Sequence, residues 1–242
     1  MKRNINADHW LLNKPIAHRG LWGDKIIENS IPSYANAVKN GYPIEIDLYL
    51  TKDGHLVSFH DKTLLRMTGE KGYVYDKTLK QLNQLYLQGS KEKIPTFDQV
   101  LEVVNGLVPL LIEIKNQPNK KVVDKVVERL KDYKGEFAIQ SFNPLYINRV
   151  KKLAPQFIRG ILATKTHGKE LKPFTRAIVK NMSLNFLIKP DFISYSFEDL
   201  PLKKCRLKKI PLITWTITDQ ASANAVKPFA KNIIFENFIP KI

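Results

Sequence analysis

Acidic, basic and imidazole side chains recur at strand-like spacings in this sequence. His18 and Arg19 precede Gly20, Glu45 and Asp47 stand two apart, and Glu113 and Lys115 repeat that interval. Side chains alternate along a strand with period two, so each i, i+2 pair points to one side. Glu45, Asp47 and Glu113 converging at strand ends would be costly, because like charges held close raise one another's pKa unless a cation neutralises them. A hard divalent metal with oxygen ligands, Mg2+ or Ca2+, meets that cost. Ion pairing with Arg19 and Lys115 meets it equally well.

A hairpin brings a further group to the cluster. Asp53-Gly54 suits a two-residue turn, since both positions tolerate positive φ. On that turn Lys52 faces His55, and the ladder sets Asp47 opposite His60 with Cβ atoms roughly 4.5–5.5 Å apart. His18 reaches the same region from the neighbouring strand. Two histidines beside such carboxylates suit general acid–base work on a phosphate ester, one activating the nucleophile and the other protonating the leaving oxygen. His9, His55 and His167 lack that context and read as surface or structural residues.

The elements that must position these groups alternate along the chain. Strands are expected at Pro15–His18, Ile44–Asp47, Leu56–His60, Pro109–Ile114, Phe137–Gln140, Phe157–Leu162, Phe192–Ser196, Leu212–Thr216 and Ile233–Glu236. Helices are expected at Ile31–Lys39, Phe97–Val104, Lys121–Asp132, Leu145–Leu153, Leu171–Leu184, Leu200–Leu207 and Gln220–Phe229, with apolar spacing such as Val122, Val123, Val126, Val127 and Leu130. A parallel crossover needs about a dozen residues, more than separate Asp47 from Leu56. Leu56–His60 is therefore the return arm of the hairpin, and eight parallel strands remain. That count predicts an α/β fold, a (β/α)8 TIM-type barrel whose active site lies at the C-terminal strand ends. A doubly wound sheet competes, but no glycine-rich dinucleotide fingerprint follows the first strand. The polar, glycine-punctuated stretch Asp61–Ile94 exceeds a typical connection and reads as an insertion over the barrel mouth, with a short helix near Thr78–Leu85. Nothing splits residues 1–242 into two domains.

Composition bounds the rest. The chain has 242 residues, 43% of them hydrophobic, enough for a large core and against global disorder. The absence of an apolar run of about 18 residues excludes a spanning helix. Lys2 and Arg3 are followed by Asp8, His9, Asn13 and Lys14, which interrupt any signal-peptide core, so a cytoplasmic location is expected. A single cysteine, Cys205, excludes an internal disulfide and a cysteine-based zinc site. The net charge of +16 is unevenly spread: residues 1–120 hold 16 basic and 13 acidic residues, residues 121–242 hold 23 and 10. Such a balance favours phosphorylated small molecules, anionic membrane or nucleic acid, or simply reflects lysine-rich solvated helix faces.

The ordered set His18-Arg19-Gly20, Glu28-Asn29-Ser30, Glu45-x-Asp47, Thr51-Lys52-Asp53-Gly54 and His60-Asp61 resembles the signature of glycerophosphodiester phosphodiesterases. Leu65-Arg66-Met67-Thr68-Gly69, Ile94-Pro95-Thr96-Phe97, Glu113-Ile114-Lys115, Ser141-Phe142-Asn143 and Trp215-Thr216 extend the likeness along nearly the whole chain. The resemblance implies a metal-dependent (β/α)8 enzyme, with Mg2+ or Ca2+, that hydrolyses glycerol-3-phosphodiesters to glycerol 3-phosphate and an alcohol. It makes Glu45, Asp47 and Glu113 the metal ligands and His18 and His60 the acid–base pair. Arg19 and Lys115 become phosphate-binding cations. Trp215 is either a platform for glycerol or core packing, and Asn29 or Ser30 could cap the helix before Pro32, with Asn29 read as the cap. One departure stands out: the family's last strand usually ends in Thr-Asp, whereas this one reads Phe235-Glu236-Asn237.

The leading expectation is a cytoplasmic enzyme acting on water-soluble diesters. A lysophospholipase D-like action on lipid keeps the chemistry and uses the basic second half for peripheral attraction to anionic membrane. A non-catalytic polyanion binder would rely on Lys203-Lys204-Cys205-Arg206-Leu207-Lys208-Lys209. That cluster has no interleaved aromatic and no nucleic-acid docking motif, so no nucleic-acid partner is expected.

Overall fold

The computed structural model describes residues 5–23, 25–165, 185–202 and 210–241. The expected helix Leu171–Leu184, most of Leu200–Leu207, His167 and the basic cluster 203–209 lie outside the described residues. Strands run at β1 Ile16–His18, β2 Ile44–Leu50, β3 Leu56–Ser58, β4 Leu110–Ile114, β5 Phe137–Ser141, β6 Arg159–Ala163, β7 Phe192–Ser196, β8 Leu212–Ile217 and β9 Asn232–Phe235. The helices are α1 Trp10–Asn13, α2 Ile31–Lys39, α3 Leu65–Thr68, α4 Leu79–Leu82, α5 Phe97–Val104, α6 Lys121–Leu130, α7 Pro144–Leu153, α8 Asn185–Ile188 and α9 Gln220–Val226. All strands but β3 form the parallel set of a (β/α)8 barrel, as the alternating pattern predicts. Among the described residues no helix is long and apolar enough to cross a membrane.

Two compact units are distinguished, Ala17–Phe137 and a second composed of Met1–Ile16 with Ala138–Ile242. In the second, β5 to β9 pair in parallel in sequence order. Ile147 of α7 packs there with Ile161, Ile193, Tyr195 and Leu212, which removes the apolar face of a helix and three strands from water. The expected helix at Leu200 does not form over Leu200–Leu202. Pro201 disfavours helical φ/ψ at the preceding residue, and Leu200 is extended at φ −83°, ψ 150° after a 3-10 turn at Phe197–Asp199.

In the unit Ala17–Phe137, β1 and β4 flank β2 in parallel, and β3 returns antiparallel from it. Every residue of β2 is buried, as a strand covered on both faces requires. Ile44, Ile46, Leu48 and Leu50 take one side and Glu45, Asp47 and Tyr49 the other. Parallel register puts His18 beside Glu45 and Asp47 beside Glu113. Just past the strand end, buried Gln117 accepts the Leu50 N–H at 2.8 Å and donates to the Leu50 carbonyl at 3.3 Å, which extends the ladder with a side chain.

The hairpin exists, but its register differs by one residue from the expected one. Leu48 pairs with Ser58 and Leu50 with Leu56. The loop is three residues long, Lys52 to Gly54. Thr51 accepts the Gly54 N–H at 3.1 Å and Gly54 sits at φ +89°, the turn-plus-bulge form of a three-residue hairpin. Phe59, not His60, therefore faces Asp47, and its N–H donates to the Asp47 carbonyl at 3.0 Å.

The insertion folds on the hairpin. Leu64, Met67, Val74, Leu82, Leu87 and Ile94 bury themselves with Tyr49, Val57 and Phe59. Its expected helix shrinks to α4, begun by a Thr78–Gln81 capping box.

Candidate active site

The exit of β1 is shaped by two consecutive residues of positive φ, Arg19 at +59° and Gly20 at +86°. A Cβ on Gly20 would lie 2.8 Å from the Ser33 backbone carbon, so only glycine fits here. The turn points the Arg19 N–H at Glu45 Oε2, 3.2 Å away, and the guanidinium Nη1 at Glu28 Oε1, 2.9 Å away. The Arg19 Nε stands 3.9 Å from Asp47 Oδ2. His18 Nε2 lies 3.9 Å from Glu45 Oε2, and Trp22 Nε1 donates to the His18 carbonyl at 2.8 Å.

Glu45, Asp47 and Glu113 are all buried, and each offers an oxygen within 4.8 Å of the others. Lys115 Nζ bridges Asp47 Oδ1 at 3.2 Å and Glu113 Oε1 at 2.9 Å. Burial pushes the Glu45 carboxyl well above its usual range, and Asp47 and Glu113 add to the push. Glu113 also rises, through burial first and Asp47 second, against the pull of Lys115. Burial would raise Asp47 too, but Lys115, His60 and Arg19 hold it far below the ordinary carboxylate range. The raised Glu45 and Glu113 carboxyls show that Lys115 and Arg19 do not fully compensate the ionised form of the trio. Three buried carboxylates at this separation fit a hard divalent cation, which takes oxygen donors.

His60 enters the site from the exit of β3 and not from a ladder position. Its ring lies 6.4 Å from that of His18, centroid to centroid, at an interplanar angle of 81°. Nδ1 is 2.8 Å from Asp61 Oδ1. Burial and the Lys115 charge lower the His60 pKa to about 4, with Asp47 and the Asp61 bond opposing. The imidazole is therefore neutral at pH 7, and Asp61 favours the tautomer with the proton on Nδ1.

Several participants were not foreseen. Asn29, expected to cap α2, instead donates from Nδ2 to Asp47 Oδ2 at 3.0 Å. Ser30 provides the cap, in a box with Ser33. The Asn29 Oδ1 accepts from Tyr34 Oη at 2.8 Å and Ser58 Oγ at 3.2 Å, and those hydroxyls lie 2.6 Å apart. Burial keeps the Tyr34 phenol neutral, with its pKa well above 10, so it remains a donor. Glu28-Asn29-Ser30 was visible as a motif, whereas Tyr34 and Ser58 belong to none of the sequence motifs. Trp215 lies on β8 in the other unit, in an edge-to-face contact with Phe142 at 5.7 Å. At the end of β9 the Glu236 N–H donates to the Ile217 carbonyl at 3.0 Å, and Asn237 adopts φ +65°.

Comparison with known proteins accords with this geometry. The profile of the glycerophosphoryl diester phosphodiesterase family matches residues 18–240. A glycerophosphodiester phosphodiesterase of Caldanaerobacter subterraneus subsp. tengcongensis is 38% identical over 161 residues, 61% of this chain and 65% of that protein. A Bacillus subtilis glycerophosphodiester phosphodiesterase is 26% identical across 92% of this chain and 83% of its own length. An Oleispira antarctica phosphodiesterase, solved in complex with the product sn-glycerol-3-phosphate, superposes with a TM-score of 0.79 over 93% of each chain at 24% identity. The chain belongs to the glycerophosphoryl diester phosphodiesterase family and is a (β/α)8-barrel enzyme of that family.

Proposed function

We propose that the chain hydrolyses water-soluble glycerophosphodiesters to glycerol 3-phosphate and an alcohol, as one domain spanning residues 1–242 and acting in the cytoplasm. The observation that carries this reading is the meeting of two imidazoles, His18 and His60, above three buried carboxylates. Glu45, Asp47 and Glu113 hold a divalent cation, Mg2+ or Ca2+, which when bound supplies Lewis-acid stabilisation of charge on the phosphoryl group. His60, neutral at pH 7 and anchored through Nδ1, presents Nε2 to take a proton from the attacking oxygen as it bonds to phosphorus, and in the step that yields glycerol 3-phosphate that oxygen is water's. His18, in its protonated form, gives a proton to the departing alkoxide, so the phosphorus–oxygen bond to the alcohol breaks without releasing a strong base. Arg19 and Lys115 offset charge on the phosphoryl oxygens, and Trp215 is assigned to the glycerol side.

The test is a panel of glycerophosphodiesters and lysophospholipids, each assayed for phosphorylated product. Release of glycerol 3-phosphate from soluble diesters supports the proposal. Turnover of lysophospholipids alone, stimulated by anionic vesicles, would replace it with a lysophospholipase D-like action on lipid.

A further inference from the structure

One guanidinium of the insertion reaches back to both sides of the site. Arg66, on α3, donates from Nη2 and Nη1 to the two carboxylate oxygens of Glu28 at 2.6 and 3.2 Å. Its Nε and Nη2 donate to Asp61 Oδ2 and Oδ1 at 2.6 and 2.8 Å. Each of those carboxylates holds a second group. Glu28 Oε1 accepts from Arg19 Nη1 at 2.9 Å, and Asp61 Oδ1 lies 2.8 Å from His60 Nδ1.

We propose that Arg66 is a positioning residue, a clamp that fixes the phosphate-binding Arg19 through Glu28 and the proton-transferring His60 through Asp61. The inference rests on the roles given to Arg19 and His60 above.

The chemistry of the clamp requires arginine. A planar guanidinium serves two carboxylates along two edges, whereas an ammonium is a point charge without that fork. Glu28 is 6% exposed and lies between two cations, so losing one leaves a buried carboxylate partly uncompensated and able to reorient. Anchoring the insertion does not account for the arrangement. The apolar cluster around Met67 and Leu82 holds the insertion down, and backbone bonds tie this stretch of chain to the hairpin, Lys52 N–H to the Lys77 carbonyl at 2.9 Å and Ser58 N–H to the Pro95 carbonyl at 2.8 Å. The Arg66 side chain itself is 44% exposed, and a pair at such a surface adds little to stability. What four hydrogen bonds from one rigid group supply is the orientation of the carboxylates, and through them of the imidazole tautomer and the Arg19 fork.

The experiment measures kcat, KM, melting temperature and divalent-ion affinity for Arg66→Gln and Arg66→Lys, with glycerophosphocholine as substrate and His60→Ala and Arg19→Ala alongside. Loss of a supporting partner typically costs about 10–100-fold, so kcat of Arg66→Gln should fall by that factor. Its divalent affinity should stay close to wild type, and any fall in melting temperature from the uncompensated Glu28 carboxylate should leave the protein folded at the assay temperature, where kcat is compared. Arg66→Lys should recover part of the loss, and Arg66→Gln combined with Asp61→Asn should be little worse than the poorer single variant. Wild-type kcat in Arg66→Gln, or a loss that merely follows a lowered melting temperature, overturns the clamp alone. Full turnover in His60→Ala or Arg19→Ala overturns the assigned roles and the clamp with them.

Discussion

Replacing Asn29 by alanine removes the side chain that ties Asp47 to the core. Asn29 is 3% exposed, sits at φ +50° and donates to Asp47 Oδ2 at 3.0 Å. A hydrogen bond to a charged group contributes about 1.5–3 kcal/mol. Alanine held in the left-handed region adds a cost of about 1–2 kcal/mol. Tyr34 and Ser58 lose a shared acceptor but keep each other at 2.6 Å, so no further large cost arises there. The expected destabilisation is about 2.5–5 kcal/mol, and at about 2–4 °C per kcal/mol for a chain of this size the melting temperature should fall by about 5–20 °C. Asn29→Gly relieves the backbone part and should recover about 1–2 kcal/mol of stability without recovering turnover, because Asp47 Oδ2 still lacks the Asn29 bond that orients it. Asn29→Asp, which turns a carboxylate towards Asp47, should be no better than alanine. Thermal and denaturant unfolding monitored by circular dichroism, with turnover measured in parallel, checks the series. An alanine variant that loses less than about 1 kcal/mol would show that neither the Asp47 bond nor the left-handed backbone at Asn29 matters as stated, and a glycine variant no more stable than alanine would show the same of the backbone.

Two further outcomes follow from the same unit. Gly20→Ala forces a side chain against Ser33 at φ +86°, at a cost of about 1–2 kcal/mol for the backbone alone; a variant with unchanged melting and turnover would contradict the assigned role of the His18-Arg19-Gly20 turn. Asp61 has its pKa held well below the usual range by its bonds to Arg66 and His60, against the effect of burial. A depressed folded pKa contributes stability above the unfolded value of about 3.9 and loses it as pH falls through the folded one. Asp61→Asn should therefore flatten the acid-side dependence of the melting temperature, and parallel curves for variant and wild type would disprove the linkage.

Much of the site is legible in the sequence because it lies on strands. Glu45 and Asp47, like Glu113 and Lys115, share a side by period two, and parallel register then makes Asp47 the neighbour of Glu113. The hairpin was legible at Asp53-Gly54, but its register was not. A two-residue turn and a three-residue turn with a left-handed glycine share that dipeptide, and the difference moves every pairing by one residue. His60 still reaches the site because the chain has left the ladder by then. Asn29 and Arg66 resist a sequence reading for another reason. The Asn29 contact depends on a positive φ in a loop, and Arg66 meets Glu28 across 38 positions of chain; neither has a periodicity to betray it. Tyr34 looks like any buried residue of an amphipathic helix until its hydroxyl is seen against Asn29.

On the proposed function, Glu45, Asp47 and Glu113 would hold a divalent cation while His18 and His60 move the protons of glycerophosphodiester hydrolysis. The most direct test is glycerol 3-phosphate release from glycerophosphocholine by protein stripped with a chelator, then titrated with Mg2+ or Ca2+. The expected result is no turnover in the stripped protein, saturable recovery with added cation, and no recovery in Glu113→Gln or His18→Ala. Full turnover by the stripped wild-type protein would contradict the proposal.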